Sequence, residues 1–178
     1  DAYKALEESL HHFPANPELN MMIGDILDGR EEYERALTHY QRVIQTEPGS
    51  ARAHLLRGAI YERLKQFDLA ADTYQQVIRV GPRNPLGYHY LARMDILSGK
   101  LKDAKSHLSQ TLELRPNLLQ SREFLAWVWE KLGNAEEAAR EYKILLKLDP
   151  LNKKIHERIT GMKDSMTPVD VDTSQYRL

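Results

Sequence analysis

Five prolines, Pro14, Pro48, Pro82, Pro116 and Pro150, stand 34 residues apart, and no other feature limits the fold as tightly. Small residues keep the same step. Ala2, Ala36, Ala70, Ala104 and Ala138 form one column, and Gly24, Gly58, Ala92 and Ala126 form a second. A period of this length marks a repeat array, in which each unit buries its apolar side against its neighbour. Within the period the apolar spacing is helical: Ala36, Tyr40, Val43 and Ile44 fall at i, i+4, i+7 and i+8, the stripe of a buried helix.

Local signals agree with the step. Asn16 is placed to cap a helix that begins at Pro17, where the missing N–H costs nothing. Ser50, Asn84 before Pro85, and Asn152 are the expected caps of later helices. The expected organisation is a second helix of a truncated repeat over 1–16, full repeats over 17–50, 51–84, 85–118 and 119–152, a capping helix over 153–165 and an extended tail over 166–178. Ala2, Leu6 and Leu10 are expected on the buried side of the first helix, with its partner helix upstream of residue 1 in a longer protein. In the tail, Val169 and Val171 alternate with Asp170 and Asp172, a pattern for an extended segment that something holds down. Gly58 is expected opposite Ala70, where two helices approach closely.

Two small columns and one proline column at this period resemble the tetratricopeptide repeat family over roughly nine-tenths of the chain. The resemblance implies an all-α fold, a right-handed α-solenoid of helix-turn-helix repeats. It also implies a non-catalytic scaffold whose concave groove takes an extended or helical peptide of a partner protein. In that family, positions 2, 5, 9 and 12 of each first helix line the groove. Read onto this chain, the candidate site residues are Met21, Asp25, Arg52, Leu55, His89, Arg93, Trp127 and Glu130. Trp127 is the expected anchor, with Arg52 and Arg93 as cationic contacts, because interface hot spots favour tryptophan and arginine. A second reading of Trp127, as packing between adjacent repeats, stands beside it. The family's carboxylate clamp for chaperone tails needs lysine and asparagine where this chain has Met21 and Asp25, so that subclass is rejected. Two other functions stay open: self-association through helix 1–13 or the tail, and service as an accessory domain of a larger enzyme or assembly factor.

Composition excludes more than it selects. With 25 basic and 26 acidic residues the net charge is −1, which argues against a surface that must neutralise many phosphates of a nucleic acid. The balance is uneven along the chain, −4 over 17–50 and +3 over 51–84. Without cysteine there are no disulfides, and the longest apolar run, Phe124 to Trp129, is far short of a bilayer span. A soluble protein, cytoplasmic or periplasmic, is expected. Seven histidines form no HExxH, and the adjacent His11 and His12 cannot share one helical face, so packed or solvated histidine is expected rather than metal. No phosphate loop, nucleophile elbow or dinucleotide motif occurs, and no cofactor or enzyme activity is expected. Arg57 and Asp95 occupy positions that the family fills with apolar residues, and they are expected to pair with each other.

Overall fold

The computed structural model describes residues 2–161; the tail 166–178 and the last residues of the expected capping helix lie outside the described residues. Among the described residues ten helices follow one another: α1 Ala2–His12, α2 Pro17–Gly29, α3 Tyr33–Thr46, α4 Ala51–Arg63, α5 Phe67–Val80, α6 Pro85–Leu97, α7 Leu101–Leu114, α8 Leu119–Lys131, α9 Ala135–Leu148 and α10 Lys153–Gly161. The starts of α2, α4, α6, α8 and α10 are each 34 residues apart, so the proline period is the period of helical pairs. The chain divides into two compact units, Asp1–Gly87 and Tyr88–Leu178, with the boundary inside α6.

The turns explain the step. Asn16 Oδ1 accepts from Leu19 N at 2.8 Å, Asn84 Oδ1 from Leu86 N at 3.0 Å and Asn152 Oδ1 from Ile155 N at 3.3 Å. Ser50 is a correction, since its side chain caps nothing: it sits at ψ 87° against 119° at Asn16, and its short hydroxyl arm does not meet the first-turn amides. Between the two helices of each pair the backbone passes through the left-handed region at one repeated position, with φ of 62° at Glu31, 58° at Lys65, 73° at Gly99 and 79° at Gly133. Only the last two use the residue without a Cβ penalty there.

A recurring hydrogen bond, unforeseen from the sequence, closes the other turn. The fourth residue of the first helix reaches back six positions to the proline carbonyl. Asn20 Nδ2 donates to Pro14 O at 3.0 Å, His54 Nε2 to Pro48 O at 3.2 Å, Arg122 Nη2 to Pro116 O at 3.0 Å and His156 Nε2 to Pro150 O at 2.9 Å. Tyr88 holds the same place after Pro82. Every residue in this column can donate, and in the two histidines the bonded nitrogen must carry the proton because a carbonyl only accepts. Arg122 is 3% exposed and pairs with Glu141, whose carboxyl is pushed up by burial and drawn back by the guanidinium.

In the first unit Ile23, Leu27, Ala36, Tyr40 and Ile60 make a buried cluster on which Leu10 of α1 packs. In the second, one cluster gathers Ala92, Ala104, Leu108, Leu125 and Val128, and another Ala126, Ala138, Tyr142, Leu145 and Ile155. The alanine column from Ala36 to Ala138 is fully buried. Ala2 is exposed, against expectation, because in the later repeats this column faces that repeat's own first helix and α1 has none before it in this sequence. Tyr3 supplies the contact instead, taking a hydrogen bond from Arg35 at 2.6 Å with the Arg30 guanidinium 4.5 Å from its ring centre.

The tight approach at Gly58 is to an aromatic ring. A Cβ there would stand 2.5 Å from Cε1 of Tyr74, and one at Gly24 would stand 2.6 Å from Cε1 of Tyr40. The glycines make room for tyrosine rings. In the third repeat the same two columns hold Ala92 and Leu108, a smaller ring-free partner for a larger first-helix residue.

Gly58→Ala should therefore cost about 1–3 kcal/mol in overpacking, offset by about 1 kcal/mol of helix propensity, and Gly58→Ala with Tyr74→Leu should recover most of the loss in urea unfolding. Arg122→Leu should lose about 3–5 kcal/mol by leaving the Glu141 carboxylate without its cation, whereas Arg122→Leu with Glu141→Leu should recover that part and retain only the loss of about 0.5–1.5 kcal/mol from the missing bond to Pro116 O.

Candidate functional site

The first helices place polar and apolar side chains together at two clefts, one in each unit. In the first unit a cleft of about 360 Å³ is bordered by Glu18, Met21, Met22 and Asp25 of α2, Val43 of α3, Glu47 just beyond it, and Arg52 of α4. Helical spacing explains the grouping, since Glu18, Met21, Met22 and Asp25 fall at i, i+3, i+4 and i+7 on one face. Asp25 is held at both oxygens. Oδ1 accepts from the Tyr40 hydroxyl at 2.9 Å and Oδ2 from Arg52 Nη2 at 2.6 Å. Burial, and then the bond to Asp25, raise the Tyr40 phenol far above its ordinary range, so it remains a neutral donor. The Arg52–Asp25 pair is largely exposed, and such pairs contribute about 0–1 kcal/mol, so Arg52 can exchange Asp25 for a ligand at low cost. Met21, Asp25 and Arg52 thus come together; Leu55 is half-buried on α4 outside the lining of this cleft.

In the second unit a cleft of about 280 Å³ is walled by Ile96, Phe124, Trp127 and Tyr142 and rimmed by Glu123, Lys154 and Arg158. Trp127 is half-buried. It packs against the cluster of Ala92, Leu125 and Val128 and also lines the cleft, so both readings of the indole describe part of its surroundings. Lys131 Nζ lies 5.6 Å from its ring centre, a cation–π contact. Glu130 is engaged at one oxygen by Arg158 at 2.8 Å and by the Tyr142 hydroxyl at 3.1 Å, and Lys154 bonds Glu123 at 3.2 Å. Burial raises the Tyr142 phenol to about 12.

Two expected site residues sit differently. His89 is 3% exposed, with Nδ1 2.7 Å from Ser121 Oγ and its ring stacked on Phe124 at 5.7 Å, so it serves α6–α8 packing and presents no surface to a peptide. Arg93 is half-buried, with its guanidinium carbon 5.5 Å from the Tyr90 ring. Lys154 and Arg158 of α10 join the rim of the Trp127 cleft without being among the expected site residues. Their i, i+4 spacing was the available signal, but which side of α10 meets α8 is decided by packing.

Within the first unit Arg57 Nη1 donates to Gln41 Oε1 at 2.6 Å, and within the second Asp95 Oδ2 lies 2.7 Å from His107 Nδ1. Equivalent positions to Arg57 hold Ile23, Leu91 and Leu125, none more than 6% exposed. A guanidinium here forgoes about 1.5–3 kcal/mol of aliphatic burial. The hollow beside α1 is polar, lined by Lys4, Glu7, Glu8, His11 and His12. Among the described residues no helix is long and apolar enough to cross a membrane, and no three potential ligands converge on a metal position.

Helical pairs on a 34-residue step, with ligand-sized clefts on their first helices, define a helical-repeat solenoid protein. The family model described as tetratricopeptide repeat matches residues 21–85 and 98–153, and the chain belongs to that family. Among solved structures, YrrB, described as a tetratricopeptide repeat protein with an unusual peptide-binding site, is similar with a TM-score of 0.78 at 19% identity, covering 90% of this chain and 82% of that one. MamA is similar with a TM-score of 0.77 at 19% identity, covering 86% and 90%. The first repeat domain of Spaghetti (RPAP3), solved with the HSP90 peptide SRMEEVD, has a TM-score of 0.62 at 20% identity, covering 66% and 93%. No curated protein sequence matches significantly.

Burial, and then the nearby Arg93, hold the His89 imidazole down at about 4, against 6.5 for the free side chain. Between those values the unfolded chain binds a proton that the native chain does not, so this contribution is complete above pH 6.5 and is lost as pH falls toward 4. The loss is about 3 kcal/mol at most. Urea midpoints at pH 7 and pH 4 should converge for His89→Gln relative to wild type by an amount of that order.

Proposed function

We propose that the chain is a non-catalytic interaction scaffold that holds an extended or helical peptide segment of a partner protein on its first-helix faces, with the Trp127 cleft as the anchor. The observation that carries this reading is the cleft's make-up: an apolar wall of Ile96, Phe124 and Trp127 beneath a rim bearing Lys154 and Arg158. An apolar floor with a few placed charges suits one inserted side chain and the polar backbone that carries it. The peptide sites named for YrrB and for the Spaghetti domain support such a use of the fold. The binding residues on this reading are Met21, Asp25 and Arg52 in the first unit and Trp127, Lys154 and Arg158 in the second, with Leu55 and Arg93 flanking.

Among the described residues, the His89–Ser121 pair sets a hydroxyl beside an imidazole in the manner of a nucleophile and its base. Ser121 is 0% exposed and His89 3%, so neither can meet a substrate without opening the core. A hydrogen-bonded buried pair is ordinary packing chemistry.

Selection of 12-residue peptides from a random display library provides the test. Peptides that bind the wild-type chain should lose about 30-fold or more in affinity for Trp127→Ala, equivalent to about 2 kcal/mol, while the helical melt changes little. Peptides that bind the variant as tightly as wild type would remove Trp127 from the site.

A further inference from the structure

A third hollow, in the first unit, has a different character. It lies between α3 and α4, holds about 400 Å³, and is lined by Thr38, Gln41, Arg42 and Gln45 on one side and Arg57 and Tyr61 on the other, with no carboxylate in its wall. The spacing builds it. Thr38, Gln41, Arg42 and Gln45 fall at i, i+3, i+4 and i+7 of α3, and Arg57 and Tyr61 at i and i+4 of α4, so each helix turns one polar edge to the other. Among the described residues neither Arg42 nor Arg57 has an ion pair with an acidic side chain, a property they share with Arg30, Arg79 and Arg83, whereas Arg52 and Arg63 of the same unit each have one and Arg35 has two. Arg57 Nε is buried and makes no hydrogen bond, although Nη1 is held by Gln41. Arg122 and Arg140 share that unbonded Nε, so what sets Arg57 apart is its place in a hollow without a carboxylate, where an anion brought by a ligand meets no competing acid.

We infer that this hollow is a binding site for a phosphorylated side chain of a partner protein, gripped by Arg42 and Arg57. Two guanidinium groups match the charge of a phosphoryl group, which is close to −2 at neutral pH, better than that of a single carboxylate. The amides of Gln41 and Gln45 and the hydroxyl of Tyr61 can donate to its remaining oxygens, since a phosphate offers three strong acceptors, whereas the Thr38 hydroxyl already donates to Glu34 O at 3.0 Å. The space is larger than one phosphate needs and has room for the side chain that carries it. The inference stands apart from the Trp127 cleft and does not depend on what binds there.

The test uses N-acetyl-O-phosphoserine amide, its unphosphorylated counterpart and inorganic phosphate as probes, followed through the arginine Nε–H resonances of the labelled full chain at low salt. Saturable movement of the Arg57 Nε–H signal with the phosphoserine probe, at least tenfold weaker for inorganic phosphate and absent for the serine probe, is the expected result. Arg57→Leu, which installs the kind of residue found at this position in the other repeats and so should fold, is expected to abolish saturable movement of the Arg42 signal. Arg57→Lys should bind at least fivefold more weakly because it lacks the guanidinium fork. No saturation with phosphoserine, or unchanged binding by Arg57→Leu, overturns the site. Inorganic phosphate binding as tightly as phosphoserine overturns the protein side chain as its source.

Discussion

A proline carbonyl at the end of each helical pair must find a donor, and the side chain four places into the next helix provides it. Asn20, His54, Arg122 and His156 do this with three different donor groups, amide, imidazole and guanidinium, at the same sequence offset. The bond satisfies a backbone acceptor near the start of the helix and ties that helix to the turn before it. Where α2, α4, α8 and α10 begin is therefore a hydrogen-bonded decision as well as a matter of apolar packing. Most of the groups that border the clefts lie on these same helices, so their positions inherit the accuracy of that turn.

Packing behind the turns follows from size. Tyr40 and Tyr74 lie over Gly24 and Gly58, where a methyl group would collide with the ring, and each tyrosine hydroxyl then emerges beside a carboxylate, Asp25 or Glu62. The ring fills the space between helices while its polar end fixes a charged group of the first-helix face. Tyr142 does the same for Glu130, and Arg158 of α10 joins that pair. One side chain thus connects the core of a repeat to the surface on which a partner would rest.

The two first-helix clefts carry different chemistry. Glu18, Asp25 and Glu47 leave the first acidic around two methionines, and Lys154 and Arg158 add cations to the aromatic wall of the second. Arg57 shows the cost side of such choices: it occupies a column that Ile23, Leu91 and Leu125 use for burial. Its site gives up apolar area in exchange for a donor in a hollow without acids.

The fold was legible because its signals are periodic. Proline spacing, small columns and the asparagine caps at 16, 84 and 152 are local or one-dimensional properties, and helix starts and the buried alanines follow from them. Partners were less legible. Ser50 has a capping residue's identity without its geometry, Gly58 is crowded by the Tyr74 ring, and Arg57 and Asp95 find Gln41 and His107 within their own units. His89 has a groove position by count, yet rotation and tilt of α6 against α8 bury it. By itself the sequence determined the class of fold, the step and the first-helix faces, since these depend on spacing along the chain. Only the tertiary structure decided which polar groups meet, because that turns on crossing geometry and rotamers, which shift side-chain ends by several ångströms without altering the period.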